Sequence, residues 1–301
     1  MQQKLMWGVN VVLLALAGFL ILTASQPEQD ASAFMDNVPQ IFKPVDLDQP
    51  FLFAGETLPT DNFDVRERLD RELTVNTYWH SSTILSIKSM LRYFPIMERI
   101  LREEGVPEDL KYVAVAESSL RNAVSPAGAR GIWQFMEGTA GDYNLEVNRE
   151  IDERYDLEKS TRAAAQYFKR LHDRFGSWAL ATAAYNMGAS RLRSTLEEQR
   201  AESYFDININ EETSRYYFRL VAIKYIMEDP RAFGFYLDQE DYYAPLNDYR
   251  TVEVSGPVEN WGDFAREHGT TYRMLKVYNP WLLDSKLTNR SGKTYEIRVP
   301  R

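Results

Sequence analysis

Apolar residues recur every three to four positions through most of the chain, the period of helices buried on one face. Val65, Leu69 and Leu73 open the series and predict a helix from Asp61 onward. A second helix is expected from about Ser82 to Tyr93, limited by Pro95, and a third from Ile96 to Glu104, with Gly105 after its end. Leu157, Thr161, Ala164, Phe168, Leu171 and Phe175 mark the clearest amphipathic helix, closed by Gly176. Ser177 can cap the small-residue stretch SWALATAAYN that comes next. Shorter helices are expected over 139–145 and 189–199, and a last one over 211–227 with Tyr216, Leu220, Ile223 and Met227 on one face. Beyond a connector at 233–247 the period changes. Arg250 to Val254 and Tyr295 to Val299 alternate as strands do, with two short helices between them, the first ending at Gly269 and the second capped by Thr271. The expected fold class is mainly α: an all-helical domain over 61–232 without strands, then a small β-α-α-β unit over 248–301.

Two N-terminal regions fall outside this pattern. Residues 5–24, LMWGVNVVLLALAGFLILTA, form an apolar run of 20 preceded by Lys4, long enough to span a bilayer. Residues 1–25 therefore read as a signal peptide, cleaved near Thr23-Ala24-Ser25 or Ala31-Ser32-Ala33, or as a retained anchor to the inner membrane. Either implies export. Residues 26–60 are polar and broken by Pro27, Pro39, Pro44, Pro50 and Pro59, the composition of a linker. Within them FLFAGE at 51–56 is apolar enough to be tucked against the domain.

Composition narrows the function classes. The 301 residues carry a net charge of −9 with no basic stripe, which excludes an ordinary nucleic-acid binder. Charge is uneven: residues 244–301 hold 9 Lys/Arg against 7 Asp/Glu, so the rest carries −11, as separate units would. Cysteine is absent, which excludes a disulfide, a thiolate metal site and an N-terminal lipid-modified Cys, and so a lipoprotein. His80, His172 and His268 are too far apart in sequence to suggest a metal cluster, and no cofactor is expected.

The candidate chemistry lies in VPEDLKYVAVAESSLRNAVSPAGARGIWQF, residues 106–135. Leu110, Val113 and Ala114 define a helical stripe whose next position is Glu117, and Val115 and Ala116 make the opposite face apolar as well. A carboxyl in such a place has a raised pKa and can hold a proton near neutrality, as a general acid must. An ordinary Glu at a frayed helix end, paired with Arg121, is the alternative from this helix alone.

Three segments then line up: Glu117-Ser118, Gly131-Ile132-Trp133-Gln134 and Ala184-Tyr185-Asn186, with Ser125-Pro126-Ala127-Gly128-Ala129 between the first two. Together they resemble the lytic transglycosylases of bacterial peptidoglycan, which share a lysozyme-like fold. ERLDREL, VNTYWHSS, DERYDLEKST, FGSWALATAAYNMG and NEETSRYYFR extend the likeness over about residues 51–230, toward the membrane-bound lytic murein transglycosylase D group. The second motif is usually Gly-Leu-Met-Gln, so Ile132 and Trp133 depart from it. The resemblance implies Glu117 as the catalytic acid, Tyr185 as the residue that orients it, and Ser125 as a contact to a substrate N-acetyl group. Ser118, Trp133, Gln134 and Asn186 complete the implied substrate-binding set, with Trp133 a candidate for stacking on a sugar ring. Arg215 and Tyr216 read as packing residues. The last unit resembles a LysM module, although Ser255-Gly256-Pro257-Val258-Glu259-Asn260 replaces its usual Gly-Asp-Thr turn.

The resemblance further implies an exported, periplasmic enzyme acting on glycan strands, with inner-membrane association through residues 5–24 if these are retained, and with no protein partner indicated. Glu117 would protonate the oxygen between N-acetylmuramic acid and N-acetylglucosamine, and then accept the proton of the muramyl 6-hydroxyl as that attacks C1, leaving a 1,6-anhydro end. One carboxylate suffices because the nucleophile is intramolecular. Two alternatives stay open. A muramidase would need a second carboxylate, with Glu137, Asp142, Asp152 and Glu153 the candidates; a non-catalytic wall-binding protein would need none.

Overall fold

The computed structural model describes residues 44–301, so the apolar run 5–24 and most of the Pro-punctuated stretch lie outside the described residues. Residues 45–301 form one compact unit. It begins with a hairpin of two-residue strands, β1 (Leu52–Phe53) and β2 (Glu56–Thr57), turned at Ala54-Gly55 where both residues take positive φ. This segment belongs to the helical core rather than to a linker. Phe51, Phe53 and Leu58 are buried in that core, and Glu56 accepts hydrogen bonds from the backbone N–H groups of Trp178 and Ala179. A carboxylate at a helix N-terminus fills donors that the helix itself cannot use.

Helix α1 (Phe63–Tyr78) is capped by the Asn62 side chain and buries Val65, Leu69 and Leu73. Helix α2 (His80–Glu103) is continuous where two helices were expected. Pro95 lies inside it, and the missing N–H costs a bond to Leu91, which is on the solvent side. Ile87, Phe94, Met97, Ile100 and Leu101 lie buried on both sides of the proline, and this shared burial carries the helix through. After Gly105, a 3-10 turn at Glu108–Leu110 leads into α3 (Lys111–Ser118). Helix α4 (Glu137–Asp142) begins two residues before the expected start at Thr139.

Helix α5 (Leu157–Phe175) is capped by Asp156 and ended by Gly176, and Ser177 caps α6 (Trp178–Met187), as the apolar period indicated. Helices α7 (Ala189–Gln199) and α8 (Glu211–Glu228) complete the domain. α8 is the central strut: it packs against α1, α3 and α6. The terminal unit runs β3 (Tyr249–Val254), α9 (Trp261–Glu267), α10 (Tyr272–Tyr278), β4 (Tyr295–Pro300). Its strands pair antiparallel, with Val252 opposite Ile297 and Val254 opposite Tyr295. The fold is thus mainly helical with one small β-α-α-β module. That module's core, built on Trp261, Leu275, Trp281 and Ile297, also contains Ile151 from the helical domain. Among the described residues no helix is long and apolar enough to cross a membrane.

Candidate active site

Glu117 sits in the last turn of α3, a helix of eight residues from which Val113, Ala114 and Val115 face the core. The helix stops because Ser119 and Leu120 both adopt left-handed φ, 51° and 58°. Two consecutive non-glycine residues in that region carry strain, held here by the burial of Leu120. Ser118 ties the end down from inside. Its hydroxyl is buried and donates toward the Ala114 carbonyl at 3.0 Å and the Ile132 carbonyl at 2.8 Å. It is therefore a clasp between α3 and the loop after it, and its burial takes it out of the substrate-binding set.

The Glu117 carboxyl is half-buried, and Tyr216 of α8 donates its hydroxyl to Oε1 at 2.5 Å. Burial pushes the Glu117 pKa up; the Tyr216 hydrogen bond opposes that shift, the charge of Glu212 adds to it, and Arg219 opposes it. With Oε1 engaged as an acceptor, Oε2 is the oxygen left to carry a proton. Arg219 is itself steadied by Glu72 of α1, whose buried carboxylate lies 3.6 Å from the Arg219 Nε and 2.5 Å from that of Arg215. A cavity of about 160 Å³ opens next to α3, lined among others by Trp79, Ser82, Ser119, Arg219 and Ile223.

The loop after α3 is a set of tight backbone turns. Arg130 and Phe135 exchange both backbone hydrogen bonds, at 3.0 and 3.1 Å, and Gly131 N–H reaches the Ala123 carbonyl at 3.1 Å. Ser125 shapes its own turn, its hydroxyl accepting from the Ala129 N–H at 2.9 Å. Gln134 takes φ 52° and its side-chain amide donates to the carbonyls of Ala123 and Gly131. Trp133 is 0% exposed, with Nε1 donating to the Thr161 hydroxyl at 3.0 Å, so it cannot stack on a sugar. The exposed tryptophan in this neighbourhood is Trp79, at 63%, on the rim of the cavity.

Tyr185 and Asn186, at the end of α6, direct their hydrogen bonds to groups other than Glu117. Tyr185 donates to the Trp133 carbonyl and stacks on Phe168 with ring centres 4.6 Å apart. Its hydroxyl pKa is pushed well up by burial and then by the Glu117 charge, which places it in the same electrostatic neighbourhood. Asn186 accepts from the Thr213 hydroxyl at 2.7 Å, tying α6 to α8. The residue that holds Glu117 is thus Tyr216, read from sequence as packing. A tyrosine on an apolar stripe with Leu220, Ile223 and Met227 carries no local mark that separates it from core. Of the acidic residues weighed as a second catalytic carboxylate, Asp152 is 0% exposed and bonded to Arg154 at 2.7 Å. Glu153 is likewise buried and binds Lys159. Among the described residues no group of His, Asp and Glu is arranged to hold a metal ion.

Residues 94–208 match the transglycosylase SLT domain. Behind that match, residues 250–301 match the soluble lytic transglycosylase C-terminal LysM-like domain. Membrane-bound lytic murein transglycosylase D of Escherichia coli K12 is 30% identical over 261 residues, which span 83% of this chain and 55% of that protein. A putative tributyltin chloride resistance protein of Alteromonas sp. strain M-1 is 32% identical over 102 residues, 33% of this chain and 48% of that one. The crystal structure of the 70 kDa soluble lytic transglycosylase of Escherichia coli superposes with a TM-score of 0.39 at 22% identity, over 52% of this chain and 27% of that chain. The chain spans about half the length of the curated relatives it matches.

Proposed function

We propose that this chain is a peptidoglycan lytic transglycosylase with Glu117 as its acid and then its base. The observation that carries the reading is the Glu117 carboxyl itself: half-buried, shifted toward its protonated form, and held on one oxygen by Tyr216. Glu117 protonates the glycosidic oxygen as the bond from muramyl C1 breaks, and the free N-acetylglucosamine end leaves as an alcohol. The carboxylate so formed takes the proton of the muramyl 6-hydroxyl while that oxygen closes on C1. Charge and protons balance without water or cofactor. Trp79, exposed at the rim of the adjoining cavity, offers the aromatic face for a sugar that Trp133 does not. The sequence match to a murein enzyme described as membrane-bound, with the apolar run at 5–24, supports action at the cell envelope on the periplasmic side.

The product test is direct. Purified sacculi digested by the chain should release muropeptides ending in 1,6-anhydro-N-acetylmuramic acid, which borohydride cannot reduce. Mostly reducible ends, two mass units heavier after treatment, would replace this reading with hydrolysis. One observation favours examining Glu212 in that event, since it is the acidic residue whose charge reaches Glu117.

Tyr216→Phe should lower kcat by roughly 10- to 100-fold, the worth of a hydrogen bond to a charged group. Because the Tyr216 bond lowers the Glu117 pKa, its loss should also move the alkaline limb of the activity profile to higher pH. A purely structural role for Tyr216 would leave that limb in place.

A further inference from the structure

The segment 146–158 is where the helical domain meets the terminal module, and its contacts run in a chain toward Glu117. On the module side, Ile151 is inserted into the module's core. The Asp152 N–H donates to the Trp281 carbonyl at 2.9 Å, and the Leu283 N–H to the Glu150 carbonyl at 2.8 Å, so the α10–β4 connection pairs with this segment as a short strand would. Opposite charges frame the contact: Lys293 lies 2.6 Å from Glu146, Arg298 lies 2.5 Å from Glu158, and Glu150 accepts from Thr288. The positive surplus of the module and the negative surplus of the rest of the chain are thus complementary across one joint.

On the other side, Asp152 holds Arg154 in a two-pronged pair, Nε to Oδ1 at 2.9 Å and Nη2 to Oδ2 at 2.7 Å, with both side chains buried. The remaining arm of Arg154, Nη1, donates to the carbonyls of Phe135 at 3.2 Å and Gly128 at 3.4 Å. Gly131 rests directly against the Arg154 carbonyl. Phe135 closes the 123–135 loop and Gly128 lies in the turn of Ser125, while Ser118 clasps the same loop at Ile132. A planar guanidinium bonded on several edges fixes position as well as distance.

We propose that the terminal module is a structural part of the active site: by holding Ile151 and Asp152 it fixes Arg154, and Arg154 fixes the 123–135 loop beside Glu117. Asp152 and Arg154 are then positioning residues for the substrate loop. The inference rests on the reading of Glu117 as the acid, since that is what gives the loop a catalytic role. It also changes what the module is for. Much of its long α10–β4 connection is occupied by the helical domain, so its first task is to brace the catalytic unit, whatever glycan it also touches.

The test uses the whole 301-residue chain. Lys293→Ala with Arg298→Ala removes the charged frame, and Leu282→Gln puts an amide against Ile151. Amide hydrogen exchange of Asp152 and Leu283 reports the joint, and that of Arg130, Gly131 and Phe135 reports the loop. The expected result is that opening the joint speeds exchange in the loop by about ten-fold or more, while α5 stays protected, and that kcat on sacculi falls more than KM rises. A loop as protected as in the unaltered chain, with the joint amides exposed, would overturn the proposal. So would a joint unmoved by either variant, because these contacts would then not be what holds the module. If the unaltered chain shows no turnover, the catalytic reading fails separately, and the exchange data still decide whether module and loop are coupled.

Discussion

Glu117→Gln is expected to reduce turnover of sacculi by roughly 10²–10⁴-fold, the usual contribution of a general acid, while raising thermal stability near neutral pH. The two effects have one cause. Burial raises the Glu117 pKa, so in the folded chain at high pH a charged carboxylate is kept in a place that disfavours it. In the unfolded chain that charge costs nothing. Folding stability contributed by this group is therefore greatest below the unfolded carboxyl pKa and is lost as pH rises through the higher folded one. Gln does not titrate, and its amide oxygen can still accept the Tyr216 hydrogen bond, although more weakly than a carboxylate would. Melting temperatures of the two proteins should thus diverge with rising pH, the variant becoming the more stable, and converge toward acid. Activity of the unaltered chain should decline over the same rise as the acid form is lost. A folded variant that still solubilises sacculi at the original rate would remove Glu117 from the mechanism; parallel melting curves would show that the carboxyl is not desolvated.

The second large effect is expected from Gly131→Ala, one of the smallest substitutions available. A Cβ there would lie 1.9 Å from the Arg154 carbonyl oxygen and 2.8 Å from its carbon, both of them backbone. Neither can swing aside as a side chain would, and φ at this position is 81°, which disfavours any L residue. Strain and overpacking together should cost about 3 kcal/mol or more, or about 6–12 °C in melting temperature for a domain of this size. Activity should fall further than stability accounts for, because the displaced Gly131 carbonyl is one that holds the Gln134 side chain. Calorimetry and a rate measured well below the melting point separate the two. A variant that melts with the unaltered chain would mean that the 123–135 loop has room to relax.

Most of the fold was legible because helices declare themselves through burial on one face. Val65-Leu69-Leu73 and Leu157 to Phe175 needed no tertiary information, and neither did the caps at Ser177 and Thr271. Pro95 misled for a definable reason: a proline's cost is local, but the core on both sides of it is not visible in the local pattern. FLFAGE showed its apolarity, although not that Glu56 would cap a helix some 120 residues away. In the site, Glu117 stood out as a carboxylate in an apolar register. Tyr216 did not, since a tyrosine satisfies an apolar stripe whether its hydroxyl has work to do or not. Trp133 and Ser118 failed as substrate contacts for the converse reason: a position within a motif gives no direction for the side chain, and both point inward.

The shortness of α3 has a bearing on how such a protein can be taken apart. Eight residues rise about 12 Å, well below the length at which a helix holds its shape alone in water. The direction of the Glu117 side chain is therefore not a property of residues 106–135, however complete their motif. It is lent by α8 through Tyr216, by the clasp at Ser118, and by the core that shuts over Leu120. A peptide of that stretch grafted onto another scaffold would carry the letters of the site without its acid.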